Sequence, residues 1–98
     1  MGNVLYGDYR TWSVNHVIDL IRQEQWQEAS GFGDGCCYRG VTTDDDFIFK
    51  EAEWFLYHDR TDWNATSYGN LAMVIHYGSQ YPHRAGLVNQ LKQLCKQF

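Results

Sequence analysis

Between Ser30 and Gly40 the chain reads S-G-F-G-D-G-C-C-Y-R-G, four glycines in eleven residues with no helical period. A helix cannot propagate through such a segment, because each interior glycine costs about 1 kcal/mol against alanine. It therefore separates one helical stretch on its N-terminal side from three on its C-terminal side. Ninety-eight residues suit a single domain, 1–98, with one modest core.

The first helical stretch is marked by Ser13, a good N-cap, with Trp12 before it as a staple. Val14, Val17, Ile18 and Ile21 follow at helical spacing, and Gln25 and Trp26 continue the pattern towards Ala29. Upstream, Asn3 to Thr11 reads as a short strand or extended lead-in, and Cys36 to Val41 could pair with it. After the glycines, Thr43 looks like an N-cap. Asp44, Asp45 and Asp46 then place carboxylates in a first helical turn, where the helix dipole favours them. Phe47, Ile48, Ala52, Trp54, Phe55 and Leu56 supply the buried face, with a strand over Phe47 to Phe49 as the rival reading.

Asp62-Trp63-Asn64 is a turn, and Asn64 or Thr66 opens the third helix, lined by Tyr68, Leu71, Ala72 and Ile75 and stopped by Gly78. Asn64-Ala65-Thr66 is formally a glycosylation acceptor but is more simply a turn and helix cap. Pro82 fits the first turn of a fourth helix, where its missing N–H does no harm, with Leu87, Leu91, Leu94 and Phe98 at helical spacing. Gly69 and Gly86 fall inside these helices, and close helix–helix approach would justify them. The expected fold is mainly α: about four helices in one small bundle, with room for a short two-stranded piece.

Composition narrows function by exclusion. Apolar residues make up 44% and charged residues 20%, close to ordinary globular usage, so composition argues against a disordered chain. No apolar run approaches the roughly 20 residues of a membrane span, and the basic-then-apolar layout of a leader is missing. Three cysteines, Cys36, Cys37 and Cys95, do not form a disulfide framework or a zinc spacing. A reduced, cytoplasmic chain without cofactor or metal is expected. The net charge of −4 argues against direct nucleic-acid binding.

That total hides a dipole. Residues 44–62 carry a net −5 and residues 78–98 a net +3, from Arg84, Lys92 and Lys96. The acidic stretch suits a basic partner surface, although a helix start with a solvated face explains it more simply. The aromatic share, 16%, exceeds what a small helical core needs. Tyr6, Tyr9, Tyr38, Tyr57, Tyr77 and Tyr81 are the candidates for the surface, where tyrosine and tryptophan dominate interface hot spots. The candidate partner-binding residues are Asp44, Asp45, Asp46, Glu51, Glu53, Tyr57, Trp63 and Tyr81.

Catalytic readings are thinner. His58 and Asp62 would share a helical face at i, i+4, with Asp59 beside them, as a small metal-dependent hydrolase needs. A metal site requires three or four converging ligands, and polarity near a helix end accounts for these residues. Cys36 and Cys37 lack a specified base, and the glycine loop lacks the Lys-Ser/Thr of a phosphate cradle. Arg84, Lys92 and Lys96 are too few to neutralise many phosphates. No catalytic residue is assigned.

Thr11-Trp12-Ser13-Val14, followed by Ile18 and by Trp26 to Ala29, resembles the T-W-[N/S]-V opening of small proteins encoded by phages and other mobile elements. The match covers roughly a fifth of the chain. In size, acidity and absence of catalytic motifs the chain is also similar in character to phage inhibitors of host defence, such as anti-CRISPR and antirestriction proteins. It departs from the strongly acidic DNA mimics in its basic C-terminal helix. The resemblance implies no residue roles; it implies steric or electrostatic blocking of a nucleic-acid-processing complex in the host cytoplasm. The expected function is a non-catalytic protein-binding module of this kind, as a monomer or homodimer. Two alternatives stay open: the hydrolase on His58, Asp59 and Asp62, and a nucleotide-sequestering protein with Arg39 or Arg60 on an anion.

Overall fold

The structure, a computed structural model, describes residues 9–33 and 45–98. Among them, five α-helices follow in chain order: α1 (Tyr9–Arg22), α2 (Trp26–Ser30), α3 (Asp45–Tyr57), α4 (Ala65–Gly78) and α5 (Ala85–Cys95). Single 3-10 turns, Arg60–Asp62 and Pro82–Arg84, precede α4 and α5. The fold is mainly α, as periodicity implies, and the described residues contain no strand. Residues 3–8 and 36–41 of the expected two-stranded piece lie outside the described residues, as does Thr43, while Tyr9 to Thr11, expected to be extended, form the first turn of α1.

α4 is the axis of the bundle. Tyr68, Gly69, Leu71, Ala72, Met73, Val74, Ile75 and Gly78 are all buried, so this helix is apolar around most of its circumference. It packs against each of the other four helices. Those four are one-sided. α1 buries Val17, Leu20 and Ile21; α3 buries Ile48, Ala52 and Phe55; α5 buries Val88, Leu91 and Cys95. Each set follows the three-to-four spacing of a helix with one face on a core. Phe47 to Phe49 is accordingly helical, because Ile48, Ala52 and Phe55 fit a helical stripe rather than strand alternation.

The first helix differs from expectation at both ends. It begins at Tyr9, so Ser13 is interior and its hydroxyl is buried without a hydrogen-bond partner instead of capping. No glycine or proline separates Tyr9 from Ser13, and propagation adds one hydrogen bond per residue. At the other end the helix stops at Arg22 rather than running on to Ala29. Glu24 takes a left-handed backbone conformation, φ 58°. The Gln25 amide donates to the Leu20 carbonyl at 3.0 Å and the Glu24 amide to that of Ile21 at 2.9 Å. This is a Schellman ending with glutamate where glycine is usual, which is why the break escapes a search for glycine. α2 then starts in a new direction, and the four expected helices become five.

Asn64 opens α4 as expected. Its side chain accepts from the Ser67 amide at 2.9 Å while the Asn64 amide donates to Ser67 Oγ at 3.3 Å, a reciprocal cap. Pro82 stands in the 3-10 turn ahead of α5 rather than in the helix itself, and the Arg84 amide closes that turn on the Tyr81 carbonyl at 2.8 Å. At Gly69 the turn that follows α2 presses on α4: a Cβ there would lie 2.4 Å from the Gly33 amide nitrogen, an approach of helix to turn rather than the expected helix to helix. Gly86 has open space around it, so close approach explains the first glycine and not the second.

Candidate functional site

The burial of Ile48, Ala52 and Phe55 dictates what α3 presents outwards. Asp46, Lys50, the adjacent pair Glu53 and Trp54, and Tyr57 recur one helical turn apart and are exposed, and His58 follows immediately after the helix. Among the described residues, Trp54 at 37% and Tyr57 at 81% are the exposed large hydrophobic side chains. The His58 ring stacks on Trp54, centroids 4.3 Å apart and planes 14° from parallel. His58 Nδ1 lies 2.9 Å from the Trp54 carbonyl oxygen, which can only accept, so Nδ1 is the donor in this contact. A groove of about 250 Å³ runs beside Trp54, between α3 and the start of α4, with Glu51, Asn64 and Asn70 among its lining residues.

Behind this face the aromatics form one connected cluster. Trp54 meets Phe55 edge-on at 5.1 Å and Trp63 at 6.0 Å; Trp63 meets Tyr68 at 5.2 Å; Tyr68 meets Phe98 at 5.4 Å. Trp54–Trp63 is tilted at 31°, and the other three pairs are edge-to-face, an arrangement that adds to the energy of burial. The outer stripe is therefore seated on a packed aromatic base.

Several expected partner-binding residues are engaged internally instead. Trp63 is 7% exposed, because its indole fills the gap between α3 and α4 against Phe55 and Tyr68; it is a core residue. Asp45 is bound by Arg84, whose Nε and Nη2 donate at 2.7 and 2.9 Å, and by His83 Nε2 at 2.8 Å. The Arg84 guanidinium, then His83, hold the Asp45 carboxyl at about 2, against an ordinary 3.8. Asp45 in turn raises Arg84. Part of the acidic stretch is thus neutralised by the basic C-terminal segment.

Tyr81 is half-buried against the core and Tyr77 likewise, which leaves Tyr57 as the expected tyrosine that is exposed among the described side chains. Glu51 is half-buried, Glu53 and Asp46 are exposed, and Asp44 lies outside the described residues. Sequence reasoning missed Trp54 as a surface residue, assigning it to the buried face. The signal was its i+3 step to Tyr57 and i+4 step to His58.

The catalytic alternative loses its geometry. α3 ends at Tyr57, and Asp59 is extended and caps the following 3-10 turn by accepting from the Thr61 amide at 3.0 Å. His58 and Asp62 therefore do not share a helical face. Among the described residues no three His, Cys, Asp or Glu side chains converge as metal ligands would. Burial pushes the Cys95 thiol up to about 12, so it stays protonated. Arg60 is spent on structure: its guanidinium lies 4.1 Å over the Phe98 ring and donates to Tyr68 Oη at 3.3 Å and the Gln97 carbonyl at 3.4 Å. Arg39, Cys36 and Cys37 lie outside the described residues. No described helix is long and apolar enough to cross a membrane.

No family model, curated protein or solved structure matches the chain.

Proposed function

We propose that the chain is a protein-binding module that docks on a basic partner surface through the outer stripe of α3. The observation that supports this is Tyr57, 81% exposed beside the stacked Trp54–His58 pair and flanked by Glu53. A tyrosine and a tryptophan on a rigid helix lose little conformational freedom on binding, and such residues dominate interface energies. Asp46, Glu53, Asp59 and Asp62 supply the complementary charge, which steers encounter and selects partners more than it adds affinity. The finer reading, a phage-type inhibitor of a nucleic-acid-processing defence complex, is supported by the same acidic and aromatic character, since such complexes carry basic grooves.

The test is phage plating on bacteria that carry a restriction or CRISPR defence and express this chain. Wild-type protein should raise plating, and Tyr57→Ala or Glu53→Lys should remove that effect while leaving the melting curve unchanged. Capture of a defence subunit by wild-type but not by Tyr57→Ala would identify the partner. Equal capture by both, or protection of phage by neither, rejects the reading.

A further inference from the structure

A second feature lies on another part of the molecule. The end of α1, the start of α2 and the outer side of α5 enclose a cleft of about 410 Å³, lined by Arg22, Glu24, Trp26, Lys92, Lys96 and Phe98 among others. Its size falls in the range of small-molecule sites. We propose that this cleft binds a small phosphorylated ligand with a planar ring, of the nucleotide class.

Charge is the first support. On a chain of net −4, this cleft gathers Lys92, Lys96 and Arg22 beside Glu24, with Arg22 also paired to Asp19 at 3.4 Å, so the two lysines are the cations left to a ligand. Lys92 and Lys96 are one helical turn apart, which brings their stems side by side. Neither makes an ion pair with a described residue. The helix dipole favours lysines at the end of α5, but it does not account for Arg22 arriving from α1. Arg22 is held there because its Nε donates to the Phe98 carbonyl at 3.1 Å. Arg84, grouped with the two lysines by sequence alone, is turned to Asp45 and takes no part.

The ring is the second support. Trp26 is half-buried and lines the same cleft, so an aromatic surface stands beside the cations. Phosphate alone would leave it unused, whereas a nucleobase stacks on such a surface irrespective of its identity. Glu24, the left-handed residue that turns the chain from α1 to α2, is what brings Trp26 next to α5. A strained non-glycine residue at the mouth of a charged cleft is the arrangement in which backbone strain commonly accompanies function.

Binding of the common ribonucleoside diphosphates is measured by calorimetry and tryptophan fluorescence, with pyrophosphate and the matching nucleosides as separate arms. At least one diphosphate should bind and quench fluorescence, more tightly than either pyrophosphate or its nucleoside. Lys92→Gln and Lys96→Gln should each weaken it about tenfold, as loss of a hydrogen bond to a charged group does. Glu24→Gln should tighten it, and Trp26→Phe should remove the quenching. Lys96 is exposed and Lys92 half-buried, so each variant's melting curve is recorded beside its binding, and a variant that melts like wild type but loses the diphosphate separates loss of the site from unfolding. Absence of binding at millimolar diphosphate, pyrophosphate binding as tightly as the nucleotide, or an unchanged affinity in Lys92→Gln/Lys96→Gln would each overturn the proposal.

Discussion

Arg84 reaches Asp45 across 39 residues of chain with two parallel hydrogen bonds, Nε to Oδ1 at 2.7 Å and Nη2 to Oδ2 at 2.9 Å. The fork ties the first turn of α3 to the turn that launches α5, and the same guanidinium lies 4.5 Å over the Phe49 ring. A bidentate arginine–carboxylate pair is geometrically specific in a way a lysine pair is not.

This pair gives the fold a defined acid sensitivity. The Asp45 carboxyl sits at about 2 when folded, below its ordinary 3.8, chiefly because of Arg84. Its contribution is fully present above pH 4 or so and is lost as pH falls through the folded value. Asp45→Asn should lower Tm at pH 7, and the difference from wild type should narrow between pH 4 and pH 2. A gap of constant size across that range, measured by thermal melts, would show that the pair does not stabilise the protein.

Two glycines in helices should respond to alanine with opposite signs. At Gly69 a Cβ would meet backbone, 2.4 Å from Gly33 N and 2.5 Å from Phe32 C, so the chain segments must separate. Gly69→Ala should cost about 3 kcal/mol, the upper end for overpacking. Gly86 has nothing within 4 Å, and Gly86→Ala should add about 0.5–1 kcal/mol through helix propensity. For a domain this small each kcal/mol moves Tm by about 4–8 °C, so calorimetry resolves both.

Glu24 holds the left-handed position of a Schellman ending, where a side chain costs about 1–2 kcal/mol. Glu24→Gly should therefore raise stability by about 1 kcal/mol in urea titrations, with the slope unchanged. A drop in stability would mean that the Glu24 side chain makes a contact worth more than the strain.

What could be read from the sequence divides along physical lines. Helices with a one-sided apolar stripe, such as Val14 to Ile21 or Leu87 to Leu94, were legible because burial imposes their spacing. The Asn64 cap was legible because its chemistry is local. The break at Glu24 was not, since it replaces the residue type that signals such a break. The partner-binding residues were harder still. Trp63 and Trp54 are equally aromatic on paper, and only the packing of α3 on α4 decides that the first is core and the second surface. Asp45 and Asp46 are neighbours of one type, separated by an arginine distant in sequence that the fold delivers to one of them.

The one-against-four packing of α4 divides the molecule's labour. Because α4 has scarcely a free face, nearly every change in it disturbs several neighbours at once. Apart from Trp54, which rests on Phe55 and Trp63, the outer stripe of α3 is exposed, and substitutions at separated, exposed positions combine almost independently. Residues such as Glu53 and Tyr57 can therefore be exchanged while the scaffold stays put. A chain built this way can follow a changing partner, altering what it recognises without renegotiating how it folds.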